Sequence, residues 1–171
     1  VARTLHCKPE QILVCSTGVI GLPLRVERIL RAVPNLTASR STLPESFAQF
    51  TRAIMTTDTR PKFAAASCRI DGKRVRLLGC AKGAGMIHPN MATMLAFVVT
   101  DAAASPSVLR RALGDAVGGT FNAITVDGDS STNDTLALLA NGASGARAIR
   151  PDSADYRRFL GALESVCRSL A

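Results

Sequence analysis

The first apolar run, Ile12 to Cys15, closes on Ser16-Thr17-Gly18, a pattern that predicts a buried strand entering a tight turn. Pro23 and the segment Val26 to Ala32 predict a short helix, and Asn35 to Pro44, rich in Ser, Thr and Pro, predicts a connection. From Pro44 to Thr56 the residues Phe47, Phe50, Ile54 and Met55 recur at helical spacing behind a proline suited to a first turn, so an amphipathic helix should run to about Thr57-Asp58. Two apolar runs, Phe63 to Ile70 and Val75 to Ala81, flank Asp71-Gly72, the dipeptide that most strongly signals a β-hairpin. Lys82 to Asn90, with two glycines and Pro89, reads as irregular chain, and Thr93 to Thr100 as a continuous apolar strand.

The second half repeats this mixture. Ser105 and Pro106 mark the N-cap and first position of a helix to Val117, which Gly118-Gly119 should end. Asn122 to Val126 predicts a strand, Asp127 to Thr135 a polar loop, Leu136 to Ala140 another apolar strand and Asn141-Gly142 a turn. Asp152 or Ser153 caps a last helix, Ala154 to Leu170, with Tyr156, Phe159, Leu160, Leu163, Val166 and Leu170 along one face. Adjacent strands with intervening helices make layered α+β the expected class. No internal repeat or low-complexity tract interrupts the pattern.

At 171 residues, with 47% hydrophobic and 20% charged positions, the chain has the size of one globular domain rather than a disordered tail. Its charge is uneven. Lys and Arg outnumber Asp and Glu by 14 to 5 up to Ala92, whereas the counts are 7 and 8 from Thr93 onward. The basic surplus, scattered without long runs, fits an ordinary solvated surface or a field that draws in a small acidic substrate. A nucleic-acid face fits less well, because only 4% of residues are aromatic and none is Trp. The five cysteines are widely spaced, without a C-x-x-C pair and with only His6 and His88 to join them. They read as small hydrophobes of a reducing cytosol rather than zinc ligands. No apolar stretch is long enough to span a membrane. The sequence starts at Val1 without a methionine and shows neither the n-region nor the h-region of a signal peptide, as a processed product or an excised piece would.

The segment Lys82-Gly83-Ala84-Gly85-Met86-Ile87-His88-Pro89-Asn90-Met91-Ala92-Thr93 holds the most chemistry. It is not a P-loop, since the lysine precedes the glycines. A tight structural connection accounts for the Gly and Pro content. The small Ala92 before a threonine that opens a strand admits a second reading. A constrained hydroxyl can attack the preceding carbonyl, shift the acyl group from N to O and leave an ester that water cleaves. Thr93 would then be an N-terminal residue whose own α-amine serves its Oγ as base. His88 is therefore assigned a positional or solvent role. The three carboxylates between Asp127 and Thr135 lack the spacing and terminal Glu of an EF-hand, so that loop reads first as hydrogen-bonded structure and second as a pocket wall.

The stretch from Lys82 to Leu95 also resembles the self-cleavage segment of the bifunctional ornithine acetyltransferase/N-acetylglutamate synthase family of arginine biosynthesis. Three companions are similar in the same order: Ser16-Thr17-Gly18-Val19-Ile20-Gly21, Ile54-Met55-Thr56-Thr57-Asp58-Thr59, and Phe121 to Asp129 with Ser131-Thr132-Asn133-Asp134-Thr135. The resemblance implies a proenzyme that cuts itself between Ala92 and Thr93. Residues 1–92 would belong to the α chain and 93–171 to the β chain of one αββα-layered fold, present here in part and assembled as a heterotetramer. It implies Thr93 as the nucleophile that carries acetyl from N-acetylornithine to glutamate in a ping-pong cycle, with acetyl-CoA a second donor in some members and no cofactor or metal. Thr17 and Gly18 match oxyanion-hole positions, and Lys82 and Thr56, with Thr57 beside it, match substrate-binding positions. It further implies a cytoplasmic enzyme with no nucleic-acid or membrane partner. Members extend beyond both ends of this chain, and a substrate-binding Glu lies in the later part. The rival readings are an aminopeptidase of the related self-cleaving fold, which passes the acyl group to water, and an inactive fragment acting as a basic binding module.

Overall fold

The computed structural model describes residues 1–19, 21–85, 94–125, 127 and 134–171. The chain divides into two compact units, Val1–Phe50 and Thr51–Ala171.

The first unit is helical. A short helix α1 (Ala2–Leu5) is followed by a 3-10 turn over Pro9–Gln11, then α2 (Val26–Ala38) and the start of α3 (Pro44–Ala53). The strand expected over Ile12 to Cys15 does not form. Residues 12–19 have no regular structure, and Leu13 and Val14 are 70% and 83% exposed. A four-residue apolar run becomes a strand only when a neighbour supplies ladder bonds, and the described part of this unit is helix and turn. α2 is longer than expected. It carries Pro34 inside it and continues to Ala38, where the Ser39 N–H donates to the Asn35 carbonyl at 2.9 Å. Proline removes one ladder bond, yet the helix runs through it with Val33 buried and Ile29, Leu30 and Leu36 exposed, so the Ser/Thr-rich segment begins as helix. α3 stops at Ala53, short of Thr56.

The second unit is a four-stranded sheet with helices against one face. The strands are β1 (Lys62–Ile70), β2 (Lys73–Lys82), β3 (Leu95–Thr100) and β4 (Thr135–Ala140), in the spatial order β1-β2-β3-β4. β1 and β2 form the expected hairpin, with Ile70 opposite Lys73 across a two-residue turn. Asp71 and Gly72 both take positive φ there, 52° and 71°, the backbone that this turn type requires. β3 pairs antiparallel with β2 and parallel with β4. A parallel neighbour needs a crossover, supplied by α4 (Pro106–Gly118), whose Ser105 cap accepts the Val108 N–H at 3.3 Å. After Gly119 the chain makes a 3-10 turn over Phe121–Ala123 and buries Phe121. The strand expected from Asn122 is thereby lost, because the Thr120 carbonyl accepts the Ala123 N–H locally at 2.9 Å; Val126 lies outside the described residues.

α5 (Ala154–Leu170) is capped by Ser153, which accepts the Tyr156 N–H at 3.0 Å. Tyr156, Phe159, Leu163, Val166 and Leu170 are buried in one cluster with Val75, Leu77, Ala96, Val98, Val108 and Ala112. Gly79 lets α5 approach β2: a Cβ there would stand 2.8 Å from Val166 Cγ1 and 2.9 Å from Leu170 Cδ1. The opposite sheet face exposes Phe63, Val99 and Leu139 and buries Cys80 and Lys82. The class is α+β, as expected. The described residues of this unit supply one helical layer on one sheet, two of the four layers that the resemblance implies.

Candidate functional site

One end of the sheet gathers the start of β1, the end of β2 and the starts of β3 and β4, so residues distant in sequence meet there. Lys82, the last residue of β2, is 1% exposed. A buried ammonium requires a compensating charge, and the carboxylate of Asp134, just before β4, lies within its field. Asp134 Oδ1 also accepts the Met94 N–H at 2.6 Å. Burial pushes the Asp134 carboxyl above the usual carboxylate range, while the Met94 N–H and then the Lys82 charge favour its anion.

A second carboxylate works in the same way on the other side. Asp58 Oδ1 accepts the Gly83 N–H at 2.7 Å, and its Oδ2 accepts the Thr56 N–H at 3.3 Å. The Lys62 Nζ donates to the Gly83 carbonyl at 2.9 Å. Lys82 and Leu95 are register partners, so Gly83 and Met94 are the first and last residues of the connection between β2 and β3. Each has its N–H held by an aspartate from elsewhere in the chain.

A cleft of about 390 Å³ opens beside this cluster, bordered by Asp58, Arg60, Lys62, Gly83, Thr125 and Ala171. The volume lies in the range that holds a small ligand. Arg60 and Lys62 suit a carboxylate, and Asp58 suits an ammonium. Asp127 comes within 3.4 Å of where a Cβ of Gly85 would stand, so this part of the polar loop does border the adjoining backbone. Among the described residues, no group of three or more His, Cys, Asp or Glu side chains is placed to hold a metal ion, and no helix is long and apolar enough to cross a membrane.

Of the residues singled out in sequence, Lys82 is buried at the strand end and Thr56 is exposed in the bend after α3; Asp58 ties the backbone of one to the residue after the other. Thr57 is also exposed. Thr17 is half-buried and Gly18 exposed, both in the irregular segment of the first unit. Ala92, Thr93 and His88 lie outside the described residues. Sequence reasoning passed over Asp58, read only as a helix stop, and Lys62, and it treated Asp134 as one polar residue among several.

The whole chain, residues 1–171, matches the ArgJ family. The chain belongs to the ArgJ family. It is 52% identical over 170 residues to the arginine biosynthesis bifunctional protein ArgJ of Symbiobacterium thermophilum, a match that covers 99% of this chain and 42% of that protein. The same-named proteins of Geobacter sulfurreducens and Lactococcus lactis subsp. lactis are 50% and 46% identical over the full 171 residues, which cover 43% and 42% of their lengths. A crystal structure of ArgJ from Bacillus halodurans aligns with 44% of this chain and 35% of that one at 41% identity and a TM-score of 0.42. The chain thus spans about two-fifths of the length of the ArgJ relatives it matches. The family read from the four motifs is borne out, and these relatives carry the name of bifunctional proteins of arginine biosynthesis.

Proposed function

We propose that this chain is the part of a self-processing ArgJ acetyltransferase that carries the cleavage site, and that the whole protein moves acetyl from N-acetylornithine to glutamate in the cytoplasm. Family membership over residues 1–171 carries the reading. In the processing step, Thr93 Oγ attacks the Ala92 carbonyl carbon, the Ala92–Thr93 C–N bond breaks as the acyl group passes to oxygen, and water hydrolyses the ester. Residues 1–92 end in a carboxylate, and Thr93 gains a free α-amine. In turnover that amine takes the Oγ proton while Oγ attacks the acetyl carbon of N-acetylornithine. Ornithine leaves with the proton, and the amine of glutamate then displaces Thr93 Oγ to give N-acetylglutamate. In this reading Thr17 and Gly18 donate to the tetrahedral oxygen, and Thr56 and Lys82 bind the amino-acid part of the substrate. The α and β chains stay together as a heterotetramer, and no cofactor is needed beyond acetyl-CoA where it serves as a second donor.

The burial of Lys82 supports this role. Lys82 precedes Gly83, which borders the cleft, and its side chain is already desolvated, so in this reading a substrate carboxylate meets the ammonium without first stripping its water. Position 93 is two residues along the chain from Leu95, the register partner of Lys82. The test is mass spectrometry of the full-length protein together with an acetyl-transfer assay. Two chains split between Ala92 and Thr93 are expected, with one uncut chain in Thr93→Ala, and a rise of about tenfold or more in KM in Lys82→Met. An uncut wild type that transfers no acetyl refutes the reading, and acetate release without transfer to glutamate replaces it with a hydrolase.

A further inference from the structure

We infer that Asp58 is a positioning residue for substrate binding: one carboxylate holds the N–H groups of both Thr56 and Gly83 and so fixes the bend after α3 against the end of β2, where Lys82 stands. The assignment rests on the substrate-binding reading of Thr56 and Lys82 under Proposed function and deepens it. Asp58 Oδ1 accepts the Gly83 N–H at 2.7 Å, and Oδ2 accepts the Thr56 N–H at 3.3 Å. Each carboxylate oxygen thus takes one backbone donor, in bonds of the stronger, charge-assisted kind. A peptide group is planar from the preceding Cα to its own Cα. The bond to the Gly83 N–H therefore orients the plane that carries the Lys82 Cα and carbonyl.

The sheet register explains why such a tie is needed here. Pairing of β1 with β2 ends at Lys62 opposite Ala81. Lys82 lies one residue beyond it and keeps a register partner only in Leu95 of β3. On the β1 side the chain reaches the end of β2 through side chains instead: Asp58 takes the Gly83 N–H, and Lys62 Nζ donates to the Gly83 carbonyl at 2.9 Å. Gly83 is thus held at both backbone groups while its φ is 152°, a conformation that residues with a Cβ rarely adopt. Lys82 is 1% exposed, so its packed side chain has little room to correct a displaced backbone. A tilt of the Gly83 peptide is passed on to the ammonium. Thr56, exposed in the bend, lies outside any helix or strand, and the same carboxylate fixes the direction of its N–H.

The test uses the full-length protein, with cleavage at Ala92–Thr93 recorded by mass spectrometry so that kcat and KM refer to cleaved molecules. Asp58→Ala removes both bonds, Asp58→Asn keeps one acceptor oxygen for the shorter bond to Gly83, and Lys62→Met releases only the Gly83 carbonyl. Expected is a KM for N-acetylornithine raised about tenfold or more in Asp58→Ala and about two- to fivefold in Asp58→Asn and Lys62→Met, with kcat within about threefold of wild type in all three. In the Asp58→Ala, Lys82→Met double variant KM should rise no more than about threefold above Lys82→Met alone, because a residue that acts largely through Lys82 has little left to position. A purely structural role lowers the melting temperature and the active fraction and leaves KM alone. A direct grip on the substrate ammonium makes Asn as damaging as Ala and the double variant multiplicative. Either result overturns the assignment, as does a wild-type KM in Asp58→Ala; if that variant stays uncut, a wild-type KM in both Asp58→Asn and Lys62→Met overturns it equally. The reading beneath it fails separately, when Thr56→Ala and Lys82→Met leave KM unchanged, and the assignment then falls with it.

Discussion

Placing a methyl group on Gly79 tests the packing that holds the sheet end in place. Its Cβ would stand 2.8 Å from Val166 Cγ1, 2.9 Å from Leu170 Cδ1 and 3.3 Å from Val98 Cγ2. Leu170 can swing its terminal methyl aside. Val166 cannot do so cheaply, because a β-branched residue in a helix has essentially one χ1 rotamer, and β2 is paired on both edges. Relief must come from a shift of α5, so Gly79→Ala should cost about 1–3 kcal/mol, the range for overpacked cores. With a urea m-value of about 2 kcal/mol per molar, a loss of about 2 kcal/mol lowers the midpoint by about 1 M. Gly161→Ala is the control. It makes the same chemical change within α5, where a Cβ meets nothing within 4 Å, and should add about 0.5–1 kcal/mol by removing backbone freedom from the unfolded chain. A Gly79→Ala midpoint at or above that of wild type, with m unchanged, refutes the argument that α5 and β2 touch at van der Waals limits here.

Two further outcomes follow from titratable groups in the helical layer. Asp155 is 6% exposed and accepts from Arg147 Nη2 at 2.7 Å and Arg158 Nη1 at 2.9 Å, and the Arg147 bond above all holds its carboxyl below the usual range. Its stabilising contribution is therefore complete above the unfolded carboxylate value and is lost as pH falls through the lower folded one; urea midpoints measured against pH should fall less steeply below about pH 4 in Asp155→Asn, and an unchanged acid limb would contradict this. Cys167 is fully buried, its thiol pushed up to about 11 mainly by burial, so at pH 8 only about one molecule in a thousand is thiolate. Iodoacetamide should modify the half-buried Cys7 and Cys15 well before Cys167, and equal labelling by mass spectrometry would show that α5 opens readily.

The fold was legible wherever a signal was local. Asp71-Gly72 set the hairpin register, Ser105-Pro106 set the start of α4, and the apolar face of α5 was read residue by residue, because turn, cap and helical period depend only on near neighbours. Ile12 to Cys15 and Asn122 to Val126 failed for one shared reason. A short apolar run is compatible with a strand, a turn or an exposed segment, and distant partners decide between them. Thr120 took its own local bond, while residues 12–19 have no ladder in the described part of their unit. Pro34 misled in the opposite sense, since the loss of one ladder bond did not end α2 there.

The site divides along the same line. Lys82 and Thr56 could be named because motif resemblance points at side chains that meet substrate. Asp58 and Asp134 act on backbone groups 25 and 40 residues away, and no spacing rule connects an aspartate to an amide at such a distance. Once the sheet is formed, their selection has a simple physical basis. The connection from Gly83 to Met94 leaves β2 and enters β3 at neighbouring positions, so its two terminal N–H groups fall beside the sheet end, where water is scarce and an unpaired donor costs about 1–3 kcal/mol. A backbone carbonyl could satisfy either donor, but the carboxylate of Asp134 also adds negative charge within the field of the buried Lys82. Asp134 therefore meets a hydrogen-bonding need and an electrostatic need at once, while Asp58 ties the N–H groups of Thr56 and Gly83. Replacing Asp134 by Asn should separate these needs, keeping the Met94 N–H anchored while removing the charge that acts on Lys82.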